Sequence, residues 1–262
     1  MWALALPLLF TLLAWWGSTA AILQLVKLPR RTHPLVMALG TLALPLGLYA
    51  VAASGDGSPP GAGAAYLGFC AALLVWGWQE LAFLLGYVTG PHREPCPEGV
   101  TETQRVRLAV RAVLHHELAL VLLGTLIAVL TPAGGSPVAL WTFAALWALR
   151  LSAKLNLFLG SRNPQAHLLP PHLAYMGSYF RRRAMNPLFP WSMALSLLAA
   201  AALAGAALAA GASDHDRTAL LLLAALVALG ALEHALMMLP ARGHVATAAL
   251  AAPLPQRPVE RP

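Results

Sequence analysis

The chain has 262 residues, 59% of them hydrophobic and only 10% charged, with a formal net charge of +7. An ordinary soluble domain carries roughly 25% charged residues, and no soluble fold of this length can hide so much apolar surface. The basic residues lie in short segments between apolar runs rather than on one face. This excludes a nucleic-acid-binding domain and reads as charge that fixes membrane topology.

The fold class expected is all-α, a polytopic membrane bundle of about seven spans, each supplying the ~20 apolar residues that cross a hydrocarbon core of ~30 Å. The first run, about 2–26, starts apolar at Met1 with no basic segment before it, so it reads as a retained helix and not as a signal peptide. It stops at Lys27-Leu28-Pro29-Arg30-Arg31, and a second span covers about 35–53. The turn chemistry of Ser54-Gly55-Asp56-Gly57-Ser58-Pro59-Pro60 then breaks the chain. The third span is about 63–89, followed by a polar loop to Gln104. Spans four and five, about 106–130 and 138–160, are joined by a short Pro/Gly segment and should lie antiparallel side by side.

The longest polar connection, Ser161 to Pro187, precedes spans six and seven, about 188–211 and 218–239. Span six is rich in alanine, which permits close helix approach, and we attach no function to it. Residues 241–262, rich in Pro and Ala, are expected to form a disordered cytoplasmic tail. Cys70 in an apolar run and Cys96 in a polar loop fall at different depths, so no disulfide is expected.

The loops after spans one, three and five, with the tail, hold nearly all the Lys and Arg, including Lys27, Arg30, Arg31, Arg93, Arg162 and Arg181 to Arg183. The opposite loops hold Arg217 alone, beside Asp56, Asp214 and Asp216. By the positive-inside rule the N-terminus is outside and the C-terminus cytoplasmic.

Ionisable residues inside a span are costly, at ~2.5 to 3.5 kcal/mol each on insertion scales, so each one requires a reason. Here span three carries Gln79 and Glu80; span four His115, His116 and Glu117; span five Arg150, Lys154 and Asn156; span seven Glu233 and His234. At ~1.5 Å of rise per residue these groups fall into one layer, ~10 to 15 Å from the basic end of each helix. Two explanations fit the carboxylates and histidines. One is a structural network in which Arg150, Lys154 and histidines neutralise the carboxylates. The other is a metal site for iron, zinc or manganese built from Glu80, His115, His116, Glu117, Glu233 and His234, with Gln79, Arg150, Lys154 and Asn156 around it or holding a substrate. A proton or substrate path is a third use of such a layer, and a histidine as axial ligand to a tetrapyrrole a fourth. Spacing does not decide, since the adjacent pairs His116-Glu117 and Glu233-His234 point ~100° apart around their helices.

The Ser161 to Pro187 connection contains Arg162, Asn163, His172, Tyr175 and Asn186, candidates for cytoplasmic docking. Tyr175, Tyr179 and Phe180 beside three arginines suit an interfacial helix facing anionic lipid.

Several strings carry a family likeness: Trp76-Gly77-Trp78-Gln79-Glu80-Leu81-Ala82-Phe83, His115-His116-Glu117-Leu118-Ala119-Leu120, Leu140-Trp141-Thr142-Phe143, Ser152-Ala153-Lys154-Leu155-Asn156 and Met185-Asn186-Pro187-Leu188-Phe189-Pro190. They resemble the PuhE family, photosynthetic complex assembly proteins of purple bacteria, over roughly half of the chain. That family is associated with genes for the reaction-centre H subunit, for assembly factors and for the aerobic oxidative cyclase of bacteriochlorophyll synthesis. The resemblance implies a factor of the bacterial inner, photosynthetic membrane, with lipids, reaction-centre or light-harvesting subunits or pigment-synthesis enzymes as partners, and no catalytic residues to carry over. The alternative is an intramembrane metal-dependent oxidoreductase, of di-iron type or a subunit of such an enzyme, acting on a lipid-soluble substrate such as a bacteriochlorophyll precursor.

Overall fold

The computed structural model describes residues 2–55 and 60–239, so the tail expected to be disordered lies outside the described residues. Among the described residues seven α-helices follow in chain order: α1 (Trp2–Val26), α2 (His33–Ala53), α3 (Ala62–Leu84), α4 (Glu102–Leu130), α5 (Val138–Leu159), α6 (Phe189–Ala207) and α7 (Asp214–Met238). Three short 3₁₀ helices join them, at Arg30–Thr32, Ala166–Leu168 and Pro171–Tyr179. All seven α-helices are long and apolar enough to cross a membrane, and the protein is an all-helical, multi-pass membrane protein. Among the described residues the only β-type contact is an isolated bridge between Ser161 and Arg182.

The outer surface is apolar, with Leu13, Leu42, Leu122 and Val129 exposed, as lipid-facing positions allow. Helix association then depends on close packing rather than on hydrophobic burial. α3 supplies that packing at the centre, touching α1, α2, α4, α5 and α7. Its small residues Ala65, Gly68, Ala71 and Ala72 are buried, and a Cβ on Gly68 would stand 3.2 Å from the backbone nitrogen of Ala139 on α5. Large side chains fill the remaining space, among them Phe69, Trp76, Leu120, Phe143 and Leu226. α6 is the most exposed helix and packs along α7.

Helix ends differ from the sequence expectation where capping chemistry intervenes. α3 stops at Leu84 instead of about Thr89, because Gly86 adopts φ +85 and the N–H groups of Gly86 and Tyr87 bond the carbonyls of Phe83 and Ala82. This is the Schellman pattern that terminates helices at glycine. α4 begins at Glu102, ahead of the expected 106, through a capping box between Thr101 and Gln104. α7 begins at Asp214 rather than 218 because Ser213 caps it, with Asp214 and Asp216 favourably placed in the first turn. α6 ends at Ala207, short of the expected 211.

The loop after α3 is folded back onto α4. The Thr89 carbonyl accepts from the backbone N–H of His116 at 2.8 Å, inserting a loop acceptor into the hydrogen-bond ladder of a helix interior. Gly90 makes this approach possible, since a Cβ there would lie 2.1 Å from the Arg111 carbonyl oxygen.

The long connection before α6 is not the interfacial helix that its aromatic and basic residues suggest. Leu173 and Met176 of its third 3₁₀ helix are buried against Phe83, and Tyr179 is buried with its hydroxyl donating to the Glu94 carbonyl at 3.2 Å. Arg105 pins the arrangement, donating to the carbonyls of Tyr179 at 2.7 Å and Phe158 at 3.0 Å while stacking over the Phe158 ring.

Candidate functional site

Adjacent polar residues on one helix point about 100° apart, and the bundle uses that divergence to brace three helices at once. On α3, Gln79 reaches α4 and Glu80 reaches α5. The Gln79 amide nitrogen lies 3.0 Å from His116 Nδ1 and 3.3 Å from the His116 carbonyl. The carbonyl fixes the amide as donor, so Nδ1 is the acceptor and neutral His116 carries its proton on Nε2. Glu80 pairs with Arg150 at 2.7 Å.

On α4, His116 turns to α3 while Glu117 turns to α5. Glu117 accepts from Lys154 at 2.5 Å and from the Trp147 indole at 3.2 Å. Trp147, Arg150 and Lys154 stand at i, i+3 and i+7, one stripe of α5, and the Phe83 ring lies against both His116 and the Lys154 ammonium. His115 is exposed on another side of α4. The two ion pairs are held between helices in a layer sheltered from water, where breaking one partner costs far more than the pair contributes net.

The opposite face of α5 carries a neutral network towards α6 and α7. Asn156 is fully buried and donates to the Ser152 carbonyl at 2.9 Å and to the Ser192 hydroxyl at 3.0 Å. The Ser152 and Ser192 hydroxyls are 3.1 Å apart. Buried His234 on α7 lies 2.9 Å from the Ser152 hydroxyl through Nε2, and donates from Nδ1 to the Gly230 carbonyl at 2.8 Å. Asn186 completes the chain: its amide donates to Asn156 Oδ1 and to the Gly160 carbonyl, and its own oxygen caps the first turn of α6 at Leu188 and Phe189.

Glu233 separates from His234 and is exposed, accepting from the Trp15 indole of α1 at 3.2 Å. Of the loop candidates, Asn163 is tied through its backbone N–H to the Met237 carbonyl at 2.9 Å, and Arg162 is exposed. His172 caps α3 by donating from Nε2 to the Leu84 carbonyl at 2.9 Å.

The structure therefore distributes the metal-ligand candidates among several helix contacts. Among the described residues no three His, Cys, Asp or Glu side chains stand together in a way that could hold a metal, because Glu80 and Glu117 are turned to cations and Glu233 to an indole. Four buried polar atoms of the layer have no hydrogen-bond partner: Gln79 Oε1, Glu80 Oε1, His116 Nε2 and Arg150 Nε. Such atoms are the ones that an ordered water would satisfy.

Sequence reasoning missed Arg105, Ser152, Ser192, Trp15 and Trp147. Ser152 was legible as the i−4 neighbour of Asn156 on one helix face. Arg105 had no signal, since its carbonyl partners at Phe158 and Tyr179 are distant in the chain.

No solved structure matches this chain. A protein of Rhodobacter capsulatus named "Uncharacterized 30.4 kDa protein in puhA 5'region" is 40% identical over 243 residues, covering 91% of this chain and 86% of that relative. Residues 1–246 match the family described as "Protein of unknown function (DUF3623)", and the chain accordingly belongs to the DUF3623 family.

Proposed function

We propose that this protein is an assembly factor of the bacterial inner membrane, of the PuhE kind, which helps build the photosynthetic reaction centre or its light-harvesting partners. The observation that carries this reading is the relative named for the puhA 5′ region, similar over nearly the whole chain. The PuhE resemblance associates such neighbours with the gene for the reaction-centre H subunit. The site geometry supports a binding scaffold: Glu80 and Glu117 are each paired with a cation on α5, and the Asn156 network locks α5 to α6 and α7. Such rigidity suits a scaffold, because a surface already ordered before its partner arrives loses less conformational entropy on binding.

The test is gene deletion in a phototrophic bacterium that carries this protein. Reaction-centre absorbance should fall several-fold while extracted pigment remains mature bacteriochlorophyll. Accumulation of a bacteriochlorophyll precursor, together with stoichiometric iron, zinc or manganese in protein purified without chelators, would overturn the assembly reading in favour of a metal-dependent oxidoreductase.

A further inference from the structure

At the basic end of the bundle, the turn before α2, the loop after α3 and the third 3₁₀ helix enclose a cleft of about 310 Å³. Its polar lining is Arg30 and His33 on one wall, Thr89 and Arg93 on the second, and His172 and Tyr175 on the third, over an apolar floor that includes Leu85 and Leu173. No carboxylate lines it, and among the described residues neither Arg30 nor Arg93 has an acidic partner. Both guanidinium groups line the cleft at exposed positions, Arg93 also donating from Nε to the Gly90 carbonyl, and with no carboxylate among them they give it a positive potential that favours an anionic ligand.

A second observation points the same way. The Thr89 side chain is 1% exposed, yet its hydroxyl has no hydrogen-bond partner. The buried hydroxyl of Tyr175 lies beside that of Thr89, and the two face each other without completing a well-formed hydrogen bond. Both can donate, and Tyr175 lies near the Arg93 charge. A phosphate group presents several acceptor oxygens at tetrahedral angles and can take two guanidinium and two hydroxyl donors at once.

The cleft is also rigid where it must be. His172 is held by its bond to the Leu84 carbonyl, and Gly86 leaves it room, since a Cβ there would lie 2.9 Å from the imidazole. Burial holds the His172 imidazole below its ordinary range, and the charges of Arg30 and His33 push the same way. An anion seated in the cleft would offset the charges of Arg30 and His33 on the imidazole.

We propose that the cleft bounded by Arg30, Arg93, Thr89 and Tyr175 binds the phosphate of an anionic lipid headgroup. The lipid source fits the location, because the cleft opens at the helix ends where headgroups lie and its floor is apolar. This site uses side chains other than those of the buried layer and does not rest on the assembly reading.

Native mass spectrometry of the delipidated full-length protein in detergent tests it, with phosphatidylglycerol, phosphatidylcholine and inorganic phosphate as separate probes. One phosphatidylglycerol should be retained at least tenfold more strongly than phosphatidylcholine. The double variant Arg30→Gln/Arg93→Gln should abolish that preference, while Arg107→Gln/Arg111→Gln, which removes equal charge at exposed positions of α4, should keep it. Thr89→Val removes only the hydroxyl, leaves the backbone bond to His116 in place, and should weaken retention several-fold without altering helix content. Equal retention of phosphatidylglycerol by wild type and both cleft variants would overturn the proposal, as would equal loss in the α4 control. Tight binding of inorganic phosphate with no preference between the lipids would overturn the lipid source.

Discussion

Glu117 shows how a single residue in this bundle is committed to its neighbours. One carboxylate oxygen takes the Lys154 ammonium and the other the Trp147 indole, so neither lone partner can be removed without leaving charge in a layer that water reaches poorly. About a quarter of each ion-pair side chain remains exposed, which moderates the effect. We expect Lys154→Met to destabilise the protein by about 2–3 kcal/mol, somewhat less than the ~3–5 kcal/mol of a fully buried broken pair. The double variant Lys154→Met/Glu117→Leu should recover most of the loss. Thermal or denaturant unfolding of the four proteins in detergent checks this as a double-mutant cycle. A double variant as unstable as the sum of the single variants would show that the pair does not couple. The same logic separates His116 from His115: neighbours in sequence, one is fully buried on the Gln79 amide and the other exposed.

Among the elements, α4 and the loop before it form one unit. The capping box at Thr101 fixes where the helix starts, the Thr89 carbonyl enters its ladder at His116, and Gly90 lies against the Arg111 and Ala112 carbonyls. A methyl group at position 90 meets backbone atoms at 2.1 and 2.6 Å, which cannot swing aside. Gly90→Ala should therefore cost roughly 3 kcal/mol or more, among the largest single-residue effects. Gly205→Ala on α6 meets nothing within 4 Å and should change stability by no more than about 1 kcal/mol. Unfolding of both variants in detergent checks the contrast, and equal midpoints would refute the close approach. α5 is the complementary case, a helix with charged residues on one face and hydrogen-bonding neutral residues on the other, which ties α3 and α4 to α6 and α7.

For the whole molecule, the asymmetric loop charge predicts that the N-terminus is outside. Reporter fusions after Pro60, Pro97 and Pro187 should locate to the periplasm, the cytoplasm and the cytoplasm respectively, and any reversal among the three would sink that orientation. The number and approximate extent of the seven spans were legible in the sequence, because apolar length is a local property that the hydrocarbon core selects directly. The shared depth of Glu80, His116, Glu117 and Lys154 was legible for the same reason, since rise per residue is fixed. Partners were not. Rotation of each helix about its axis, set by small-residue contacts such as Gly68 against α5, decides whether a carboxylate meets a cation, an indole or lipid. Glu233 and His234 illustrate it: adjacent in sequence, they face α1 and α5. The cleft of Arg30, Arg93 and His172 lay beyond the sequence altogether, because its three walls come from segments more than 50 residues apart along the chain, and only the tertiary fold brings these basic side chains to one place.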